Sequence, residues 1–256
     1  NSYFVQNISL CFSKLFLKKK IVCIFQDYKE GGLFSLRDRF FDKISSHFLR
    51  YFNCTIVVSE KLASEIRLKK FYVFPGALTY VSNENILNCN LKEHAVYAGA
   101  LEKHNGVDIL IKTWFEKEIE FPLDVYGKGS LYTEMKKYEN KFITIHGFKD
   151  VKMVNQILSN AKINFCLRYS NGINEDFFFP SKFFNLCAYP GYLIVNEFKN
   201  LPLDLKDELI ITDNSLGNLK DLIGGINEFS VDMRRENIKK YTWYNCLAIV
   251  SEKYLS

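Results

Sequence analysis

Apolar positions along the 256 residues fall into two kinds of stretch: short unbroken runs, and longer segments where they recur every three or four residues. The unbroken runs read as strands buried on both faces, and the spaced pattern reads as amphipathic helix. Ile21–Phe25 is the first strand candidate, closing on Gln26-Asp27 before a loop marked by Gly31-Gly32. Ser35–Tyr51 reads as a helix with Leu36, Phe40, Ile44 and Phe48 at a helical repeat. Cys54–Val58 is the next strand, Ser59 a good helix N-cap, and Tyr72–Phe74 a short strand before the turn Pro75-Gly76.

Residues 79–94 are polar and Asn-rich without periodicity, which places a linker there, bounded at 81–94. Beyond it strand and helix alternate regularly. Ala95–Tyr97 leads to Gly99 and a helix over Val107 to Lys117. Leu123–Tyr126 leads to Gly127-Lys128-Gly129 and a helix from Leu131. Phe142–Ile145 leads to His146-Gly147 and a helix through Val151–Leu158. Ile163–Leu167, Leu193–Val195 and Leu209–Ile211 read as further strands, and Ile238 to Leu255 as a closing helical segment around Trp243. Such alternation predicts α/β architecture, a doubly wound sheet of parallel strands with crossover helices on both faces. The linker separates residues 1–80 from 95–230, with a closing helical segment at 231–256.

The organising stretch is Arg168 to Asn185, a polar Ser/Asn/Gly loop after a buried strand that restarts at Pro180-Ser181 as a short helix ending near Pro190-Gly191. Ligands of open α/β sheets bind where a strand's carboxyl end passes into a helix. Free N–H groups and the helix dipole there favour an anion, typically phosphate. A helix starting near Ser181 puts Lys182 and Asn185 three apart on one face, a cation and an amide for a diphosphate. Glycine recurs at three consecutive strand ends, Gly99, Gly127 with Gly129, and Gly147, where close backbone approach to phosphate and base is needed. Any βα turn can carry a glycine, so the recurrence is the signal.

Composition changes this picture little. A formal charge of +5 suits anionic ligands or an anionic membrane surface and falls short of a nucleic-acid-binding balance. Seven cysteines, odd in number and never in CxxC spacing, read as small buried hydrophobes in a reducing compartment. Residues 1–20, ending in three lysines, read as a solvated surface helix or as an amphipathic membrane patch. No stretch is long or apolar enough to span a bilayer and no signal peptide is found, so the expected location is cytoplasmic, with peripheral contact to the inner membrane face. The chain starts at Asn1 without Met and reads as a partial sequence. A GxGxxG fingerprint, a Walker loop, zinc-ligand spacing, an Asp-x-Asp pair and a GxSxG elbow are all absent. No metal or other cofactor is therefore expected. Of the four histidines, His104 reads as a loop residue within reach of a crevice, and His146 as a packing or edge residue. Glu175 and Asp176 are adjacent carboxylates able to contact sugar hydroxyls, or a solvated pair.

Four motifs in order, Tyr97-Ala98-Gly99-Ala100-Leu101 with Gly106-Val107, Val125-Tyr126-Gly127-Lys128-Gly129, Ile145-His146-Gly147-Phe148, and FFPSKFFN with Pro190-Gly191, resemble those of the family 4 (group 1) glycosyltransferases. The resemblance covers most of 54–256, including the tail Ile238-Lys239-Lys240-Tyr241-Thr242-Trp243, and is nearest to members that build bacterial capsule and lipopolysaccharide glycans. It implies the GT-B fold, two Rossmann-like domains with a ligand cleft between them: 1–80 a partial first domain on the acceptor side, 95–230 the nucleotide-sugar-binding second, and 231–256 a helical segment returning to the first. It also implies metal-independent sugar transfer with retention from a nucleotide sugar to a glycan or lipid-linked acceptor. By position Gly99, Ala100 and Lys103 would approach the diphosphate and sugar, and Tyr126, Gly127, Gly147 and Phe148 would frame the base. Ser181 and Lys182 would hold phosphate, and Asn185 would face the ribose. Glu175, Lys182 and Arg168 are the catalytic candidates. Departures stand beside these: Ala100 where the family has Arg, Asn105 for its Lys, Asn185 for its ribose-binding Glu, and Gln26 for a first-domain His. They keep two alternatives open, a catalytically weak nucleotide-sugar-binding subunit and a sugar-nucleotide epimerase of the same fold.

Overall fold

The computed structural model describes residues 9–14, 16, 18–26, 28, 35–78, 91–169, 174–180, 182–228 and 236–255. The chain divides into two compact units: Asn1–Ala77 with Gly172–Phe179 and Lys240–Ser256, and Leu78–Asn171 with Pro180–Lys239. The expected linker positions 81–90 and the site residue Ser181 lie outside the described residues.

In the first unit, β1 (Val22–Phe25), β2 (Cys54–Val57) and β3 (Phe71–Val73) form a parallel sheet in the order β1-β2-β3. β2 is buried along its whole length, as its apolar run predicts. Helices Leu36–Leu49 and Glu60–Glu65 start at serine caps; the Ser59 hydroxyl accepts the Leu62 amide at 3.0 Å. The closing helix, Trp243–Leu255, sends Cys246 and Val250 into a core with Cys54, Ile56, Phe74 and Ala77. The Phe74 ring packs edge-on to Trp243 at 5.2 Å. Nearby, Phe177 of the 174–179 segment meets Tyr28 at 5.5 Å, and the Asp176 carboxylate pairs with Lys61 at 2.6 Å.

The helix Leu36–Leu49 falls within its predicted span, with part of its apolar stripe turned outward. Leu36 is 80% and Phe40 61% exposed, whereas Asp42, Ser45, Ser46 and Leu49 are buried. A helical repeat marks which face is apolar; tertiary packing decides which face is covered. Ser46 is accommodated because its hydroxyl donates to the Lys43 carbonyl at 2.8 Å, leaving no unmet donor.

The second unit is a six-stranded parallel sheet in the order β6-β5-β4-β7-β8-β9. Its strands are β4 (Lys92–Ala98), β5 (Leu123–Tyr126), β6 (Ile143–Gly147), β7 (Ala161–Cys166), β8 (Tyr192–Asn196) and β9 (Ile210–Thr212). β4 begins at Lys92, three residues before the apolar run that marks it in the sequence. The chain winds outward from β4 to β6 and then returns to lay β7 against the free edge of β4, which makes β4/β7 the topological switch point. The core side of this sheet holds Trp114 edge-to-face with Phe165 at 6.0 Å, and the indole N–H donates to the Phe121 carbonyl at 3.0 Å. Among the described residues no helix is long and apolar enough to cross a membrane.

Candidate functional site

The carboxyl ends of β4, β5 and β6 are stitched together by their glycine turns. The Gly99 amide donates to the Tyr126 carbonyl at 3.0 Å, the Gly127 amide to the Gly147 carbonyl at 2.9 Å, and the Leu101 amide to the Lys128 carbonyl at 3.0 Å. Gly127 is required by space: a Cβ there would sit 1.8 Å from the Gly99 carbonyl oxygen. These turns border a cavity of about 340 Å³ lined by Gly99, Ala100, Tyr126, Gly127, Lys128 and Phe148, among others. Phe148 is 65% exposed, with the Lys128 ammonium 5.0 Å from its ring centre. An apolar slot with aromatic walls and lysines at its rim suits a flat, anion-bearing ligand.

Lys182 approaches the same turn from the α/β junction after β7. Its Nζ is buried without a hydrogen-bond partner, 4.4 Å from the Tyr97 ring centre. A Cβ on Gly99 would lie 3.1 Å from it, so the ammonium sits directly on the glycine that lines the cavity. The residue as a whole is partly exposed while its nitrogen is not. Burial lowers the Lys182 pKa; the nearby Cys166 thiol opposes this and Arg168 adds to it. The same cations, after burial, hold His104 below its ordinary value. Cys166, fully enclosed, is pushed up to about 11 by burial. A desolvated cation without a counter-ion is the state an arriving anion relieves.

The loop after β4 is shaped by residues that depart from the expected motif. The Ala100 carbonyl accepts from the Tyr97 hydroxyl and from the Asn105 side-chain amide, both at 3.0 Å. Asn105 thus fixes the turn that presents Gly99. Lys103 is exposed in the single 3-10 turn Lys103–Asn105. Arg168 is held by Asn196, whose side chain accepts the Arg168 amide and donates to its carbonyl, each at 2.7 Å. The sequence reading missed Asn196, a buried polar residue at the carboxyl end of an otherwise apolar strand. It missed as well Lys128 and Lys149 on the cavity lining.

Of the expected site residues, Gly99, Ala100, Tyr126, Gly127 and Phe148 line one cavity, with Gly147 bonded to it through Gly127 and Lys182 against Gly99. The helix expected from Ser181 spans only Phe183–Cys187, with Lys182 as its N-cap and Asn185 half-buried within it. Five residues sum few peptide dipoles, so positive potential there rests on the lysine more than on the helix. Glu175 belongs to the first unit, beside Asp176, whose carboxylate is paired with Lys61. Among the described residues no His, Cys, Asp and Glu group is arranged to hold a metal ion.

No family model and no curated protein matches the chain. Solved structures do. Staphylococcus aureus TarM is matched over 93% of this chain and 50% of its own at TM-score 0.63 and 14% identity. Anabaena HepE, solved with UDP, is matched over 98% and 72% at TM-score 0.62 and 11% identity. The lipopolysaccharide outer core galactosyltransferase WaaB is matched over 97% and 73% at TM-score 0.57 and 13% identity. The chain has the GT-B fold. At these identities the likeness concerns backbone, and the chain spans about half the length of TarM. The glycine-lined rim lies at the carboxyl ends of β4, β5 and β6, and its Gly99 end adjoins the β4/β7 switch point where α/β folds take their ligands.

Proposed function

We propose that the second unit binds the nucleoside diphosphate of a nucleotide sugar, and that the chain is part of a glycosyltransferase that moves the sugar to a growing surface glycan. The observation that carries this is the buried, partnerless Lys182 Nζ resting on Gly99 at the rim of the 340 Å³ cavity. In this reading Tyr126 and Phe148 flank the base, and the Gly99–Ala100 turn approaches the phosphates. Lys182, with Arg168 behind it, meets the diphosphate charge, and Asn185 reaches the ribose. Ser181 is assigned phosphate through the motif alone. As the glycosidic bond breaks, negative charge accumulates on the departing diphosphate. A prepositioned cation in a low-dielectric site stabilises that charge by about 3 kcal/mol. The transfer proceeds with retention and without a metal.

The fold neighbours support the nucleotide part of this reading, because HepE was solved with UDP and a TarM variant with UDP and alpha-GlcNAc-glycerol. WaaB supports the surface-glycan part. A peripheral contact with an anionic membrane would use the first unit, where Phe12, Phe16, Leu36 and Phe40 are exposed among Lys14, Lys18, Arg37 and Arg39. One observation favours a second reading, a binding subunit of low activity: with Ala100 and Asn105, the loop after β4 carries no cation on the Gly99 turn itself. Calorimetric titration with UDP and GDP, followed by assay of nucleotide release from UDP- and GDP-sugars with a lipid-linked acceptor extract, separates the two. Binding with release supports the transferase; binding with no release under any donor supports the subunit. Absence of binding to either nucleotide overturns both.

A further inference from the structure

Behind the cavity wall, three strands bring together polar side chains that the nucleotide reading does not use. His94 on β4 places Nδ1 2.9 Å from Asp124 Oδ2, and His146 on β6 places Nε2 2.6 Å from Asp124 Oδ1. Asp124 stands between them on β5, and both contacts require the imidazole to present an N–H. The His146 ring lies flat on the ring of Tyr126, centres 4.4 Å apart and planes within 6°. Tyr126 borders open space on two sides. It lines the 340 Å³ cavity and also a second one of about 300 Å³ shared with Lys92, His94, Asp124 and Gln156. With open space on two sides of the residue, the stack on His146 is the contact that sets the plane of its ring.

We propose that Asp124 is a positioning residue for the nucleotide pocket: through its bond to His146 it fixes the Tyr126 ring as the pocket wall. The clamp spans β4, β5 and β6, so the wall is referenced to three strands at once. Two histidine donors keep the Asp124 carboxyl ionised, His94 contributing most to the lowering of its pKa. The proposal rests on the nucleotide reading above and names a residue outside the ligand's reach that governs it.

A double-mutant cycle tests it, with Asp124→Asn, His146→Phe and the pair together, each titrated calorimetrically with whichever of UDP and GDP the parent chain binds. Phe keeps a ring on Tyr126 but offers no N–H to Asp124. Asp124→Asn is expected to weaken nucleotide binding by about three- to tenfold, the value of one oriented aromatic contact. In the His146→Phe background the same change is expected to have no further effect, because the path from Asp124 to Tyr126 is already cut. The ring-proton NMR shifts of Tyr126 and His146, displaced by their mutual ring currents in the parent, are expected to relax toward free values in Asp124→Asn. Unchanged binding and shifts in Asp124→Asn, or a loss that persists in the His146→Phe background, would overturn the proposal. A parent chain that binds neither nucleotide overturns it together with the nucleotide reading, and that result is seen before any variant is made.

Discussion

Replacing Lys182 with methionine separates stability from binding, because the two should move in opposite directions. Nζ is buried with no hydrogen-bond partner, and its main compensation is the face of Tyr97 at 4.4 Å. Desolvating an ammonium costs several kcal/mol, and a desolvated cation–π contact returns about 2 kcal/mol. The free protein therefore carries a net penalty of about 1 kcal/mol or more at this site. Methionine fills a similar volume without the charge, so Lys182→Met should melt about 2–4 °C above the parent chain. Nucleotide binding should weaken, since a charge-assisted bond to phosphate is worth about 1.5–3 kcal/mol, or about ten- to more than a hundredfold. Glu175→Ala should weaken binding far less than Lys182→Ala. Differential scanning calorimetry and isothermal titration on the same preparations give both numbers. A variant that melts lower than the parent and binds UDP and GDP equally well would refute the reasoning, since the lysine would then be a packing residue.

The same site sets a pH dependence. Burial holds the folded pKa of Lys182 below the ordinary 10.5, so between the two values the unfolded chain binds more protons than the folded one. Stability then rises with pH through that window, and the advantage of Lys182→Met should shrink as pH approaches 10.5, read from melts at pH 7 to 10.5. Gly127→Ala would force a Cβ to within 1.8 Å of the Gly99 carbonyl; overpacking of this kind costs about 1–3 kcal/mol and should reduce nucleotide affinity with it, checked by urea melts and titration. Phe74→Ala, removing a buried ring packed on Trp243, should destabilise the first unit by about 3–5 kcal/mol, seen as an early loss of tryptophan signal.

The regular half of the fold was legible because its strands are short apolar-rich stretches between turns: β8 is buried along nearly its whole length, while β5 and β6 alternate buried and more exposed positions. β5 falls at Leu123–Tyr126, its predicted span, and β7 and β8 lie within two residues of theirs. The glycine turns were legible for the same reason: Gly99, Gly127 and Gly147 end three adjacent strands, so parallel order alone puts them on one rim. The inward face of Leu36–Leu49 was not legible, since the stripe of Leu36 and Phe40 looks the same whether a core or nothing covers it. Nor was the grouping of residues 172–179 with the first unit, which depends on partners such as Tyr28 and Lys61 more than a hundred residues away. The Asp124 clamp leaves only a period-2 trace, Asp124 and Tyr126 on β5 with His94 and His146 on its neighbours, and becomes visible once the register is known. Asn105 shows the reverse case. Read against the glycosyltransferase motif it is a missing cation, while in the structure it holds the Ala100 carbonyl and so the Gly99 turn.

The most direct test is amide chemical-shift mapping of the isotopically labelled chain titrated with UDP and GDP. A diphosphate seated as described should move the amides of Gly99, Ala100, Gly127, Lys128 and Phe148 and the side-chain signal of Lys182, with those of β9 unchanged. Shifts confined to the first unit, or none at millimolar nucleotide, would contradict the assignment of the glycine-lined rim as the nucleotide site.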